Sequence, residues 1–121
     1  MIKGVKFVSI PVARQDEALR FYSEKLGFTV ITDQPYDDRQ RWIELGIQGA
    51  DTHVVLFMPD GHEGPGKGPS HVTFCSDDVE ATWRELSGRG VEFTREPSTM
   101  PWGTFATFRD PEGNEFVLSR R

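Results

Sequence analysis

Phe7-Val8-Ser9-Ile10-Pro11-Val12 alternates along its length: Val8, Ile10 and Val12 share one face, and Phe7, Ser9 and Pro11 share the other. A period of two with one wholly apolar side predicts a strand, over 5–12, that packs one face and keeps a mixed face for something else. Asp16 stands where a helix cap belongs. Ala18, Leu19, Tyr22 and Leu26 then fall at helical spacing, and Gly27 supplies a stop. Strands are expected over 28–32, over 41–47 and over 52–58. In the third, Ile43, Leu45 and Ile47 face away from Trp42 and Glu44.

After Pro59-Asp60-Gly61-His62-Glu63-Gly64-Pro65-Gly66-Lys67-Gly68-Pro69, too rich in Gly and Pro for regular structure, the same order restarts. His71 to Cys75 reads as a strand, and Asp77 or Asp78 caps a helix striped by Val79, Trp83 and Leu86. Gly90 ends that helix, and strands follow over 91–94, 104–108 and 115–119. Asp110-Pro111-Glu112-Gly113-Asn114 is the turn before the last of them. The repeat length of roughly 64 residues is too long for a solenoid and fits a duplicated supersecondary unit. The expected fold is α+β: two βαβββ modules forming a half-open barrel with helices on the convex side. The chain reads as a single domain over 1–121, with module one at 1–58, a linker at 59–69 and module two at 70–121.

The bulk properties narrow the function. A chain of 121 residues, 36% hydrophobic and 27% charged, has the make-up of one globular domain. A net charge of −5 with scattered Lys and Arg argues against nucleic-acid binding. No apolar run has the length of a membrane span, and the start of the chain leaves no room for a signal peptide. The single Cys75 excludes an internal disulfide or a multi-Cys zinc site and fits a cytoplasmic location.

The order Phe7 to Val12, Leu19-Arg20-Phe21-Tyr22, Leu26-Gly27-Phe28, Ser70-His71-Val72-Thr73-Phe74 and Asp110-Pro111-Glu112-Gly113-Asn114 resembles the vicinal oxygen chelate superfamily. That superfamily includes glyoxalase I, extradiol dioxygenases and the fosfomycin and bleomycin resistance proteins. The resemblance covers nearly the whole chain and implies paired modules and a homodimer. Metal-dependent members carry four ligand positions, which fall here on Phe7, Val55, His71 and Val117. Only His71 can coordinate, since Phe and Val have no donor atom. The resemblance therefore lies closest to the metal-free, bleomycin-resistance-like branch. It implies no cofactor and a planar aromatic small molecule as partner, held by sequestration in the manner of antibiotic resistance. The rival reading is a lyase, isomerase or dioxygenase, using acid/base chemistry or a metal on His71, His53 and Glu44.

Alternation assigns the cleft side to Phe7, Ser9, Trp42, Glu44, His53, Val55, Phe57, His71, Thr73, Cys75 and Val117. The ligand-binding set expected from this is Phe7, Trp42, Glu44, His53, Val55, Phe57, His71, Trp102 and Val117, with no catalytic and no metal-binding residue. Trp102, in the Met100-Pro101-Trp102-Gly103 loop, is a candidate stacking residue or a plug or dimer contact. With a turn centred on Gln48-Gly49, Glu44 and His53 face each other directly, as an acid/base cluster or a cross-strand ion pair. His71 remains open among a relic, a hydrogen-bonding group and a general base. Trp83 is expected in the core, His62 in solvent and Cys75 as an inert buried thiol.

Overall fold

The computed structural model describes residues 1–59 and 68–121. His62 and most of the expected linker lie outside the described residues. The chain divides into two compact units, Met1–Pro65 and Gly66–Arg121.

The first unit runs β1 (Phe7–Pro11), α1 (Gln15–Arg20, continuing at a wider pitch over Phe21–Lys25), β2 (Thr29–Pro35), β3 (Arg41–Gly46) and β4 (His53–Phe57). The second runs β5 (Gly68–Ser76), α2 (Val79–Gly88), β6 (Glu92–Met100), β7 (Gly103–Arg109) and β8 (Asn114–Arg120). Sheet orders are β1-β4-β3-β2 and β5-β8-β7-β6, so the modules repeat one topology and neither sheet closes on itself. The first strand of each pairs parallel with the last, and the remaining pairs are antiparallel.

The alternation decides which face each strand buries. In module one Ile10, Ile43, Leu45, Leu56 and Tyr22 have no solvent exposure, and Val54 and Ala18 have 1%. Each such aliphatic side chain contributes about 1.5–3 kcal/mol relative to an exposed one. In module two the same layer is aromatic: Phe74, Phe93, Phe108 and Phe116 pack with ring centroids 5.2–6.1 Å apart.

Two buried amides lock the turns of module one. Gln15 donates to the Leu56 and Arg41 carbonyls at 3.0 and 2.8 Å and accepts from the Arg41 amide at 2.9 Å. Gln40 exchanges two bonds with the Met58 backbone at 2.8 and 2.9 Å. These bonds explain why α1 begins at Gln15, with Arg14 at its cap position. Asp16 sits in the first turn and pairs with Arg41 at 2.8 Å instead of capping. The widened turn lets the consecutive Phe21 and Tyr22 both bury, which a 3.6-residue period does not allow for. Gly27, at φ +79°, then reverses the chain.

In module two Asp78 is the cap, accepting from the Ala81 amide at 2.9 Å. Asp110 builds the β7–β8 turn. It is 3% exposed and accepts from the Glu112 and Asn114 amides at 3.0 and 2.9 Å and from the Asn114 side chain at 2.8 Å. Three expectations are corrected. β6 runs far past residue 94 because β7 pairs with it through two bulges. β5 starts at Gly68, inside the expected linker, because Gly68 and Pro69 pair with Asn114 and Glu115. Trp83 is half-buried and not a core residue.

Candidate functional site

On the face of module one turned away from α1, β1, β3 and β4 bring Phe7, Trp42 and Phe57 together. Trp42 meets Phe7 edge-on at 5.5 Å and Phe57 at 6.4 Å between centroids. Tyr36, just beyond β2, completes the group at 5.9 Å from Trp42 and 6.0 Å from Phe57. It is 57% exposed and forms the outer wall. Sequence reasoning missed it because it lies in the β2–β3 turn, where Asp37 caps the Arg39 and Gln40 amides at 2.8 and 3.0 Å. The sequence carried no local signal for it: Tyr36 comes onto the face of the rings only through the Gln34–Trp42 pairing, which the register sets.

Beside the rings stands a charged pair. Glu44 accepts from Trp42 Nε1 at 3.2 Å and lies 2.5 Å from His53 Nδ1. The bond to His53 holds the Glu44 carboxyl below its ordinary value of 4.5; burial opposes this, and Trp42 and the charges of His53 and Lys6 assist it. The two are not directly opposed. The turn does sit on Gln48-Gly49, closed by the Ala50 amide donating to the Ile47 carbonyl at 3.0 Å, but the connection is two residues longer on the β4 side, so the β3–β4 register pairs Glu44 with Val55. His53 instead pairs with Phe7 on β1 and reaches Glu44 diagonally. Val55 is fully buried and serves as floor to this face, not as an exposed wall.

Module two presents a different surface. Thr73 on β5, Val117 on β8, Thr107 on β7 and Arg95 on β6 are successive cross-strand partners. With His71, Thr94 and Glu115 they line a pocket of about 550 Å³, within the ~300–1,000 Å³ typical of small-molecule sites. The pairing is interrupted between Pro69 and Thr73, and within that bulge His71 takes φ +64°. His71 is the sole non-glycine residue with positive φ among the described residues; such a conformation costs about 1–3 kcal/mol. Cys75 is exposed and not buried, because β5 lies at the sheet edge. Trp102 forms the two-residue β6–β7 turn with Pro101, is 75% exposed, and lies outside both the ring cluster and the pocket.

The chain matches the Glyoxalase/Bleomycin resistance protein/Dioxygenase superfamily over residues 4–118. It belongs to that family. It is 35% identical to the uncharacterized protein YetH of Bacillus subtilis (strain 168), over 98% of each chain. A superfamily member from Sphaerobacter thermophilus DSM 20745 superposes with a TM-score of 0.88 at 34% identity, covering 99% of this chain and 98% of that one. TnmS3, an antibiotic binding protein from Streptomyces sp. CB03234, superposes at 0.87 with 37% identity, covering 98% and 96%.

The metal that this family's fold implies does not fit the residues present. At the corresponding positions Phe7, Val55 and Val117 are hydrocarbons, leaving His71 as the one donor. Among the described residues no three His, Cys, Asp or Glu side chains gather to hold an ion. No helix of the described residues is long and apolar enough to cross a membrane.

Proposed function

We propose that this chain is a metal-free binder of a planar aromatic small molecule, acting by sequestration as in antibiotic resistance. The observation that carries this reading is the Phe7–Tyr36–Trp42–Phe57 cluster, three of whose rings stand in contact with Trp42. A flat guest gains about 25 cal/mol per Å² of buried apolar area and ~0.5–1.5 kcal/mol for each ring it contacts. Glu44 and His53 orient the guest by hydrogen bonding and perform no chemistry on it. Similarity to the antibiotic binding protein TnmS3 supports the same reading. The functional unit is a homodimer in the cytoplasm, in which a second copy covers open sheet edges.

Titration with a planar polycyclic compound tests this. Trp emission should be quenched, the compound recovered unchanged, and Trp42→Ala should weaken binding more than His71→Ala. Turnover abolished by His71→Ala but kept by Trp42→Ala would replace the binder with an acid/base enzyme. Light scattering that gives a monomer mass at micromolar concentration would remove the dimer.

A further inference from the structure

We infer that His53 Nε2 is a hydrogen-bond acceptor fixed beside the aromatic cluster, and that the guest is therefore a phenol, a planar aromatic whose ring hydroxyl donates to that nitrogen. This rests on the aromatic-binder reading and names the chemical class of the guest. Every residue involved belongs to module one.

A neutral imidazole carries one proton, and the partner of each nitrogen decides which of the two holds it. Here the partner of Nδ1 is Glu44, whose Oε2 lies 2.5 Å away. The other carboxylate oxygen, Oε1, accepts from Trp42 Nε1 at 3.2 Å, and an indole N–H is a donor only. Both contacts favour the ionised carboxylate, which has no proton to give. The proton between Glu44 and His53 therefore sits on Nδ1, and in the neutral ring Nε2 bears a lone pair. Nε2 has no hydrogen-bond partner among the described residues and is open to solvent. Side-chain exposure is 29% for His53 and 13% for Glu44, so the orienting carboxylate is set deeper than the imidazole it holds.

Rings and acceptor are contiguous. Phe7 is the register partner of His53. Its ring lies 5.5 Å from Trp42, and Trp42 shares the Glu44 carboxylate with His53. Alternation along β4 puts His53 on the same face as Phe57, with buried Val55 between them as floor. A flat guest on this cluster keeps its ring substituents in its own plane. An ether, ketone or carboxylate there presents only lone pairs to Nε2. A phenolic O–H supplies a proton from within the ring plane and is a stronger donor than an aniline N–H.

Nitrogen-15 NMR of the imidazole at mildly alkaline pH tests the acceptor directly. A chain carrying His62→Gln and His71→Gln keeps His53 as its one histidine and leaves the site untouched. Nδ1 should be protonated and Nε2 bare, and hydroxypyrene should move the Nε2 signal more than methoxypyrene does. Nε2 found protonated in the free protein overturns the inference. In fluorescence titration hydroxypyrene should bind about tenfold more tightly than methoxypyrene, which shares its rings and has no proton to donate. His53→Phe should erase that preference. Glu44→Gln, whose amide donates to Nδ1 and releases the tautomer, should reduce it, whereas a purely structural role of Glu44 would lower both affinities alike. Tyr36→Ala should weaken both probes equally. Equal binding of the two probes, with both weakened by Tyr36→Ala, overturns the phenol assignment and leaves the aromatic reading standing. Failure of both to bind the wild-type protein overturns the aromatic reading as well.

Discussion

Glu44 and His53 meet on a diagonal, with the carboxylate of one strand reaching past its register partner Val55 to His53 Nδ1 at 2.5 Å. Trp42 Nε1 closes the arrangement from the same strand at 3.2 Å. One carboxylate thus anchors both a ring of the aromatic cluster and a titratable neighbour.

The acid stability of the protein should depend on that carboxylate. Its pKa is lowered on folding, so the ionised form is favoured by the native state. The stabilisation is full above the ordinary value of 4.5 and is lost as pH falls through the lower folded-state value. Glu44→Gln should cost about 1–3 kcal/mol at pH 7. In urea denaturation from neutral pH to pH 3, the difference between wild type and variant should shrink below 4.5. A constant difference across that range would show that the charge plays no part.

Removing Tyr36 should leave the fold intact and weaken a planar ligand. Its ring is mostly exposed, so Tyr36→Ala should change stability by no more than about 0.5 kcal/mol. Its stacking contribution of ~0.5–1.5 kcal/mol predicts a several-fold loss of affinity for a polycyclic compound. Trp102→Ala, at a hairpin tip outside the cluster, should cost less than Trp42→Ala. Emission quenching by acrylamide should reach Trp102 first, and a ligand should quench Trp42. The reverse order would move the binding surface to the β6–β7 turn.

Asp110→Ala should be among the most destabilising single changes in module two. It strips acceptors from two backbone amides and from the Asn114 side-chain amide, in a turn whose two ends, Asp110 and Asn114, are buried. A loss of about 2–4 kcal/mol is expected from groups left unsatisfied. A double-mutant cycle with Asn114→Ala should show strong coupling, and additive costs would mean that water replaces the bonds.

Divalent metals should leave the melting temperature unchanged, because stabilisation by a bound ion requires affinity for the native state and three of the family's ligand positions hold hydrocarbons. Screening Zn, Ni, Mn and Fe by calorimetry checks this. A saturable rise reversed by chelator would show that a donor set assembles around His71.

Much of the architecture was legible because it depends on local rules. Strand alternation separated Ile43 and Leu45 from Trp42 and Glu44, Asp78 capped its helix, and Gly27, Gly90 and Gly113 occupy positive-φ stops. The resemblance to the family rested on the motifs Leu26-Gly27-Phe28, Ser70 to Phe74 and Asp110 to Asn114 in that order. Features set by distant partners were not legible. The Asp16 expectation failed because Gln15 is claimed by backbone from β3 and β4. The Glu44–Val55 register turned on two extra residues between the turn and β4, and Tyr36 joined the rings through a turn whose path alternation does not describe. The length of β6 depended on bulges, which shift the face of every residue beyond them.

The parallel pairing of first strand with last has a kinetic consequence. β2, β3 and β4 form a meander of neighbours in sequence, and so do β6, β7 and β8. The β1–β4 and β5–β8 ladders instead close loops nearly as long as the module. Such closure is slow and comes late, since its entropy must be met before any of the ladder's bonds form. Each module should therefore assemble as a three-stranded meander onto which its opening strand zips last. Phe7 resides on one of those late strands, so the surface proposed to hold ligand would be completed only at the end of folding. Pulse-labelled hydrogen exchange should find the amides of β1 and β5 protected after those of β3 and β7.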